Sequence, residues 1–303
     1  MLYYYQAYGL TVQSSIELPA LVGNSERSLI EPICVGVGLV PTELLKIATV
    51  QNSICTYNED EFKYEVASIA RYYVANGVQI VIEPLCENWD KILLYLYSNC
   101  LAAALLQRNL ILFHVSGILT SANKAVLFAA SSKVGKSTTA LMLQQKGYAP
   151  FTDDTALITV ENNVCYAQAS YPMARLWQNT IELQTVYDES DKQNIYAELD
   201  KYGFSFHDNF ESKKIEVAGV VFLEEVGNEI KIKSLKAIET IQLLSENIYR
   251  RHWLNGMNKG RLQFEQLTSV ANVMSAHKAT RPQNQPTFEV FAATIEQQIL
   301  KTF

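Results

Sequence analysis

Residues 129–143 read AASSKVGKSTTALML. The stretch follows the pattern G-x-x-x-x-G-K-[ST] of a Walker A phosphate-binding loop, with Ala130 in the place of the first glycine and Gly135, Lys136 and Ser137 completing it. In such a loop successive backbone N–H groups turn inward onto phosphate oxygens, and the dipole of the following helix adds positive potential. Ser131, Ser132, Lys133, Val134, Gly135, Lys136, Ser137 and Thr138 are therefore candidate nucleotide-binding residues. Lys136 can bridge the terminal phosphates and Ser137 can ligate Mg²⁺. Alanine is the smallest substitute at position 130 and is tolerated where φ is negative. In isolation the match could be a chance turn of small residues, so its surroundings matter.

Those surroundings suit a P-loop. AVLFAAS (125–131) reads as a buried strand, STTALMLQQKG (137–147) as a helix closed by Gly147, and NLILFHVSGIL (109–119) and YAPFTDDTALITV (148–160) as further strands. Strand, loop, helix, strand is the order this motif requires. Asp153 and Asp154 follow Lys136 by 17 and 18 residues, at the end of the next strand, which returns them to the phosphates. One carboxylate can hold the metal and the other can take a proton from an incoming hydroxyl; a turn with solvated aspartates is the plainer alternative. His114, ending LILFH, is either a packed core histidine or a companion of this pair. Arg175 in YPMARLW is a charge within an apolar segment that needs a partner, and is the best candidate to contact a substrate anion, ahead of Lys213, Lys214, Arg250 and Arg251. His207, His252 and His277 show no zinc-ligand spacing with one another or with the cysteines.

The rest of the chain divides unequally. Residues 1–86 hold short runs rich in Tyr, Val and Ile, with Asn76-Gly77 as a hairpin turn, and predict a small antiparallel β-rich domain. Apolar residues at helical spacing predict a helix over 89–108 that opens the second domain, 87–303. Later strands are expected at 215–223 and 229–235, helices over 238–251 and near the C-terminus, and flexible stretches at 184–212 and 276–287. A net charge of −6 argues against general affinity for nucleic acid or anionic membrane, which need a large basic surface. The most apolar stretch is interrupted before the about 20 residues a membrane span requires. Five scattered cysteines without a CxxC pair, and an N-terminus unlike a signal peptide, point to the cytoplasm.

Several segments together resemble the HPr kinase/phosphorylase-like family of serine kinases: AYGLTVQSSIELPAL, ARYYVANGVQIVIEP, LFHVSGIL, VLFAASSKVGKSTTALMLQQKGYAPFTDDTALI and YPMARLW. The chain is similar to the shorter members, which include kinases of lasso-peptide precursors. The E-I-R-G-x-G segment of HPr kinases proper has no counterpart here. The resemblance implies an α/β fold with a P-loop, HPr-kinase-like core, and ATP and Mg²⁺ as cofactors. It also implies Asp153 as general base beside His114, with Asp154 supporting the metal. The acceptor is expected to be a serine of a peptide or protein, with a small hydroxylated metabolite as the alternative and the homo-oligomeric state left open. From another class, the rival is a nucleotide-binding regulatory or assembly protein that does not turn ATP over. A third reading makes it mainly a phosphatase or pyrophosphorolysing enzyme. Replacing Lys136 by alanine should remove a phosphate-neutralising cation and slow phosphoryl transfer on the order of 10³-fold, measured as labelled phosphate moved per unit time.

Overall fold

The computed structural model describes residues 1–24, 30–182, 185–188, 192–196, 201–207, 210–283 and 285–303. The chain divides into two compact units, 1–112 with 249–264, and 113–248 with 265–303. Residues 87–112 thus lie with the N-terminal strands. No helix among the described residues is long and apolar enough to cross a membrane, and the five cysteines form no disulfide.

In the first unit, a nine-stranded sheet runs in the order Val22–Gly23, Tyr3–Ala7, Leu10–Ser14, Ile33–Val37, Gln79–Pro84, Ala70–Ala75, Glu61–Val66, Cys55–Tyr57 and Val50–Gln51. Asn76 and Gly77, both at positive φ, make the expected hairpin turn between Ala70–Ala75 and Gln79–Pro84. The sheet is mixed rather than antiparallel, because Ile33–Val37 runs parallel to both its neighbours. Long connections on either side of that strand give the chain room to enter in the parallel sense. The predicted helix is present as Trp89–Tyr95 and Leu101–Gln107, joined by a π-helical turn over Leu96–Cys100. Its buried Ile92 accepts a hydrogen bond at its carbonyl from Tyr72 Oη, 2.8 Å.

The second unit is built on a sheet in which Ala156–Glu161, Val164–Ala169, Ile215–Glu225, Ala125–Ala129, Val115–Leu119 and Ala149–Thr152 are successive neighbours. Ala125–Ala129 is buried throughout, as an unbroken apolar run demands, and lies parallel to Ile215–Glu225. On its other flank that long strand also pairs in parallel with Ser275–Arg281, which in turn pairs with Lys231–Ser234. The expected flexible stretch at 276–287 therefore begins as a core strand, in which Ala276, Ala279 and Arg281 are buried. Within 184–212, Lys201–Ser205 pairs antiparallel with both Gln193–Tyr196 and Met173–Trp177, and residues 184, 189–191, 197–200 and 208–209 lie outside the described residues.

Helix Lys136–Gln144 and helix Phe288–Gln298 pack together over this sheet, where Leu141, Leu143, Phe291 and Ile295 join Phe128 and Val221 in one core. Each of these side chains is almost wholly removed from water, worth about 1.5–3 kcal/mol apiece. Gly147 closes the first helix at φ +97, its N–H on the carbonyl of Gln144. The helix expected over 238–251 stops at Glu246, because the chain beyond it turns to bridge strand residues: Ile248 pairs with Phe113, and the Asn247 carbonyl accepts from His114 N, 2.7 Å. A helix not anticipated from the sequence, Gly260–Val273, buries Leu267, Val270 and Ala271.

The parallel pairing explains one glycine. A Cβ on Gly219 would stand 2.9 Å from the carbonyl oxygen of Ser275 on the adjacent strand and 2.9 Å from the Phe303 ring. Gly219→Ala should cost about 1–3 kcal/mol, because the backbone of a paired strand cannot yield as a side chain does. A lowered urea midpoint with unchanged slope is the expected result.

Candidate active site

Strand sense decides where the candidate residues meet. Val115–Leu119 is antiparallel to both Ala125–Ala129 and Ala149–Thr152, with Val115 opposite Ala129 and Gly117 opposite Thr152. The start of the first strand and the ends of the other two therefore share one sheet edge. Ile215–Glu225 and Ser275–Arg281 run parallel to Ala125–Ala129 and end there too, with Glu225 opposite Arg281. His114, the 130–137 loop, the two aspartates, Glu225 and Arg281 are thereby gathered at the carboxyl edge of parallel strands, where α/β sheets characteristically hold ligands.

Ala130 is buried in the hydrophobic core beside Ala140 and Leu141, and it is not among the residues with positive φ. No glycine is required at that point, and the methyl group fills core space that a glycine would leave empty. Gly135 is different: it takes φ +115, and a Cβ there would stand 2.4 Å from Cε1 of Phe288. From Gly135 the helix begins, and the buried Lys136 folds back so that Nζ donates to the Ala130 carbonyl, 3.0 Å. Ser132, Lys133, Gly135, Lys136, Ser137 and Thr138 line a cavity of about 610 Å³, whereas Ser131 and Val134 are not part of its wall. Lys133, itself at φ +70, places its ammonium 5.4 Å from the centre of the Trp177 ring, and Thr138 shares a 3.1 Å hydroxyl contact with Thr180.

The two aspartates face different surroundings. Asp153 is buried; its Oδ1 accepts from Ser137 Oγ at 2.8 Å and Ser116 Oγ at 2.5 Å, and its Oδ2 accepts from the Arg175 backbone N–H at 2.7 Å. It is absent from the wall of the large cavity. Asp154 lines that wall, together with His114 and Ser116. Its backbone sits at φ +79, a left-handed conformation that few residues other than glycine adopt. His114 Nδ1 lies 2.7 Å from the Asp154 carbonyl oxygen, and since a carbonyl can only accept, the ring carries its proton on Nδ1. Asp154 Oδ2 accepts from Arg175 Nη1 at 2.7 Å, and Arg175 Nη2 also donates to the Tyr171 hydroxyl. Arg175 therefore finds its partner within the protein and is not part of the cavity wall.

Ser116, Trp177, Arg281 and Phe288 also line the cavity and were not singled out from the sequence. Ser116 had a legible signal, since it lies two residues after His114 in extended chain and so shares its face. Arg281 had none, because its neighbours read as a polar loop. Of the other basic candidates, Lys214 pairs with Glu161 and Arg250 stacks over Tyr249 and Trp253.

The sequence matches no protein-family model and no curated protein. Among solved structures, the Hpr(Ser) kinase/phosphatase from Coxiella burnetii is similar over 63% of this chain and 97% of its own length, with a TM-score of 0.33 and 11% identity.

The buried environment of Ala130 makes a prediction about the loop. Ala130→Gly should lower stability by about 0.5–1 kcal/mol through added backbone freedom, and should change Mg-ATP affinity by less than about threefold. Calorimetric titration of both proteins checks this; nucleotide binding that appears only in the glycine variant would show the natural loop to be degenerate.

Proposed function

We propose that this chain is an ATP- and Mg²⁺-dependent phosphotransferase that moves the γ-phosphoryl group onto a serine hydroxyl of a peptide or protein. The observation that carries this reading is the Ser137–Asp153 hydrogen bond beside the folded-back Lys136, at the mouth of a loop that opens onto the cavity shared with Asp154 and His114. The acceptor class is supported by the sequence resemblance described above.

The residues present fit both cofactors. Ser137 Oγ and Asp153 Oδ1 are hard oxygen donors held side by side, the pair suited to a cation that takes its remaining ligands from phosphates and water. When bound, Mg²⁺ supplies neutralisation of phosphate charge, and ATP supplies the transferred group. Lys136, whose ammonium rests on the Ala130 carbonyl, would turn from it to meet a phosphate oxygen.

The roles of the two aspartates are assigned here in the reverse of the sequence expectation. Asp153, with both carboxylate oxygens engaged, serves the metal side. Asp154 serves as the proton acceptor: the acceptor O–H bond breaks toward its carboxylate, the new O–P bond forms, and the bond to the bridging oxygen of ADP breaks, releasing ADP. Arg175 and His114 are positioning residues. The first holds the Asp154 carboxylate, and the second holds its backbone in the left-handed conformation.

Single-turnover transfer to serine peptides across a Mg²⁺ titration tests the assignment. Asp154→Asn should retain Mg-ATP affinity while kcat falls about 10²–10⁴-fold. Asp153→Asn should instead raise the Mg²⁺ concentration needed for half-maximal rate, and His114→Ala should reduce kcat about tenfold through a less well aimed carboxylate. The opposite pattern at the aspartates would restore the roles first read from the sequence. Wild-type protein that binds ATP but transfers phosphate to no acceptor would make the chain a nucleotide-binding regulator.

A further inference from the structure

Arg281 is the last residue of strand Ser275–Arg281 and is only 4% exposed, yet it lines the cavity of the phosphate loop. Among the described residues a single nitrogen makes both of its side-chain hydrogen bonds: Nη2 donates to Glu225 Oε2 at 2.8 Å and to the Val134 carbonyl at 3.2 Å. Its Nε–H is buried and has no acceptor among the described residues. The guanidinium lies over the Phe288 ring, 4.1 Å from its centre, and the same ring occupies the space beside Gly135 where a side chain would otherwise project. The cation is thus fixed from two directions, against the backbone of the loop and over the ring, with its one buried Nε–H donor unspent.

Resting on the nucleotide site proposed above, we infer that Arg281 is a phosphate-binding residue of that site, taking an oxygen of the nucleotide's phosphate chain alongside Lys136. A buried N–H without an acceptor is unfavourable, and a ligand oxygen removes that penalty. Guanidinium is the side chain best matched to phosphate, because it is planar, permanently charged and presents donors along its edge. Glu225 keeps the group balanced before the polyanion arrives, and the Phe288 ring holds its plane. The alternative role is a strut that ties the loop to the sheet through Val134 and meets no ligand.

Calorimetric titration with Mg-ATP and with inorganic tripolyphosphate separates the two roles, using the full chain, Arg281→Lys and Glu225→Gln. Arg281→Lys keeps the charge and the Glu225 pair but loses Nε–H. It should weaken both ligands by a similar factor, about tenfold or more. Glu225→Gln leaves Arg281 in place and removes a competing anion, so tripolyphosphate should bind about threefold or more tighter; this arm remains decisive if the lysine variant does not fold. A folded Arg281→Lys protein with a lowered unfolding midpoint and unchanged affinities would establish the strut and overturn the inference. So would weakening of ATP without weakening of tripolyphosphate, or unchanged or weaker tripolyphosphate affinity in Glu225→Gln. Wild-type protein that binds neither ligand would overturn the nucleotide site and this inference together, whereas wild-type binding with no response in either variant would overturn this inference alone.

Discussion

A carboxylate taken out of water must be met by donors, and Asp153 is met by two hydroxyls and a backbone N–H drawn from three separate segments of the chain. Left unpaired, a buried charge of this kind would cost several kcal/mol, so the segments that supply the donors are held together by the need to satisfy it. Ser116 comes from the strand beside the loop strand, Ser137 from the first turn of the loop helix, and the N–H from Arg175 on a strand of the small three-stranded sheet. The same contact that stabilises the unit thus fixes the hydroxyl of Ser137 beside a carboxylate, the arrangement on which the proposed metal site rests.

Adjacent aspartates reach opposite environments because the backbone reverses hand between them. Asp154 at φ +79 is a conformation that costs on the order of 1–3 kcal/mol in a residue with a side chain, and it persists because the surroundings hold it. His114 captures the carbonyl and Arg175 captures the carboxylate, so both ends of the residue are restrained. The result is one carboxylate turned into the protein and one presented to the cavity. Two acids with different surroundings are what proton transfer and charge neutralisation require if they are to be served by different groups.

The loop itself shows which small residues are needed for shape and which for space. Gly135 is required twice over, by its left-handed φ and by the Phe288 ring against it, whereas Ala130 lies in ordinary backbone and contributes its methyl to the core. Phe288 opens a helix whose buried face, Phe291 and Ile295, belongs to the same core as Leu141 and Leu143 of the loop helix. Packing between the two helices is therefore what places an aromatic ring, and with it Arg281, over the phosphate loop.

Much of this was legible in local sequence. The run AVLFA, the loop residues, and the helix closed by Gly147 are each specified by neighbours within a few positions, through apolar periodicity, a left-handed glycine and a C-cap. Asp153 and Asp154 could be named as candidates because the strand after the loop helix brings them back to the phosphates, whereas the place of His114 beside them rested on the family resemblance. Their separate environments could not be read, since hydrogen-bond partners such as Ser116 and the Arg175 backbone are chosen by sheet register and not by spacing. Arg175 was recognised as a charge in need of a partner, but only packing showed that the partner is Asp154. The parallel entry of Ile33–Val37 and the core strand Ser275–Arg281 escaped the reading for one reason. A strand whose neighbours are distant in sequence is stabilised by pairings that exist only once the chain has folded, and Arg281 meets the loop through such a pairing.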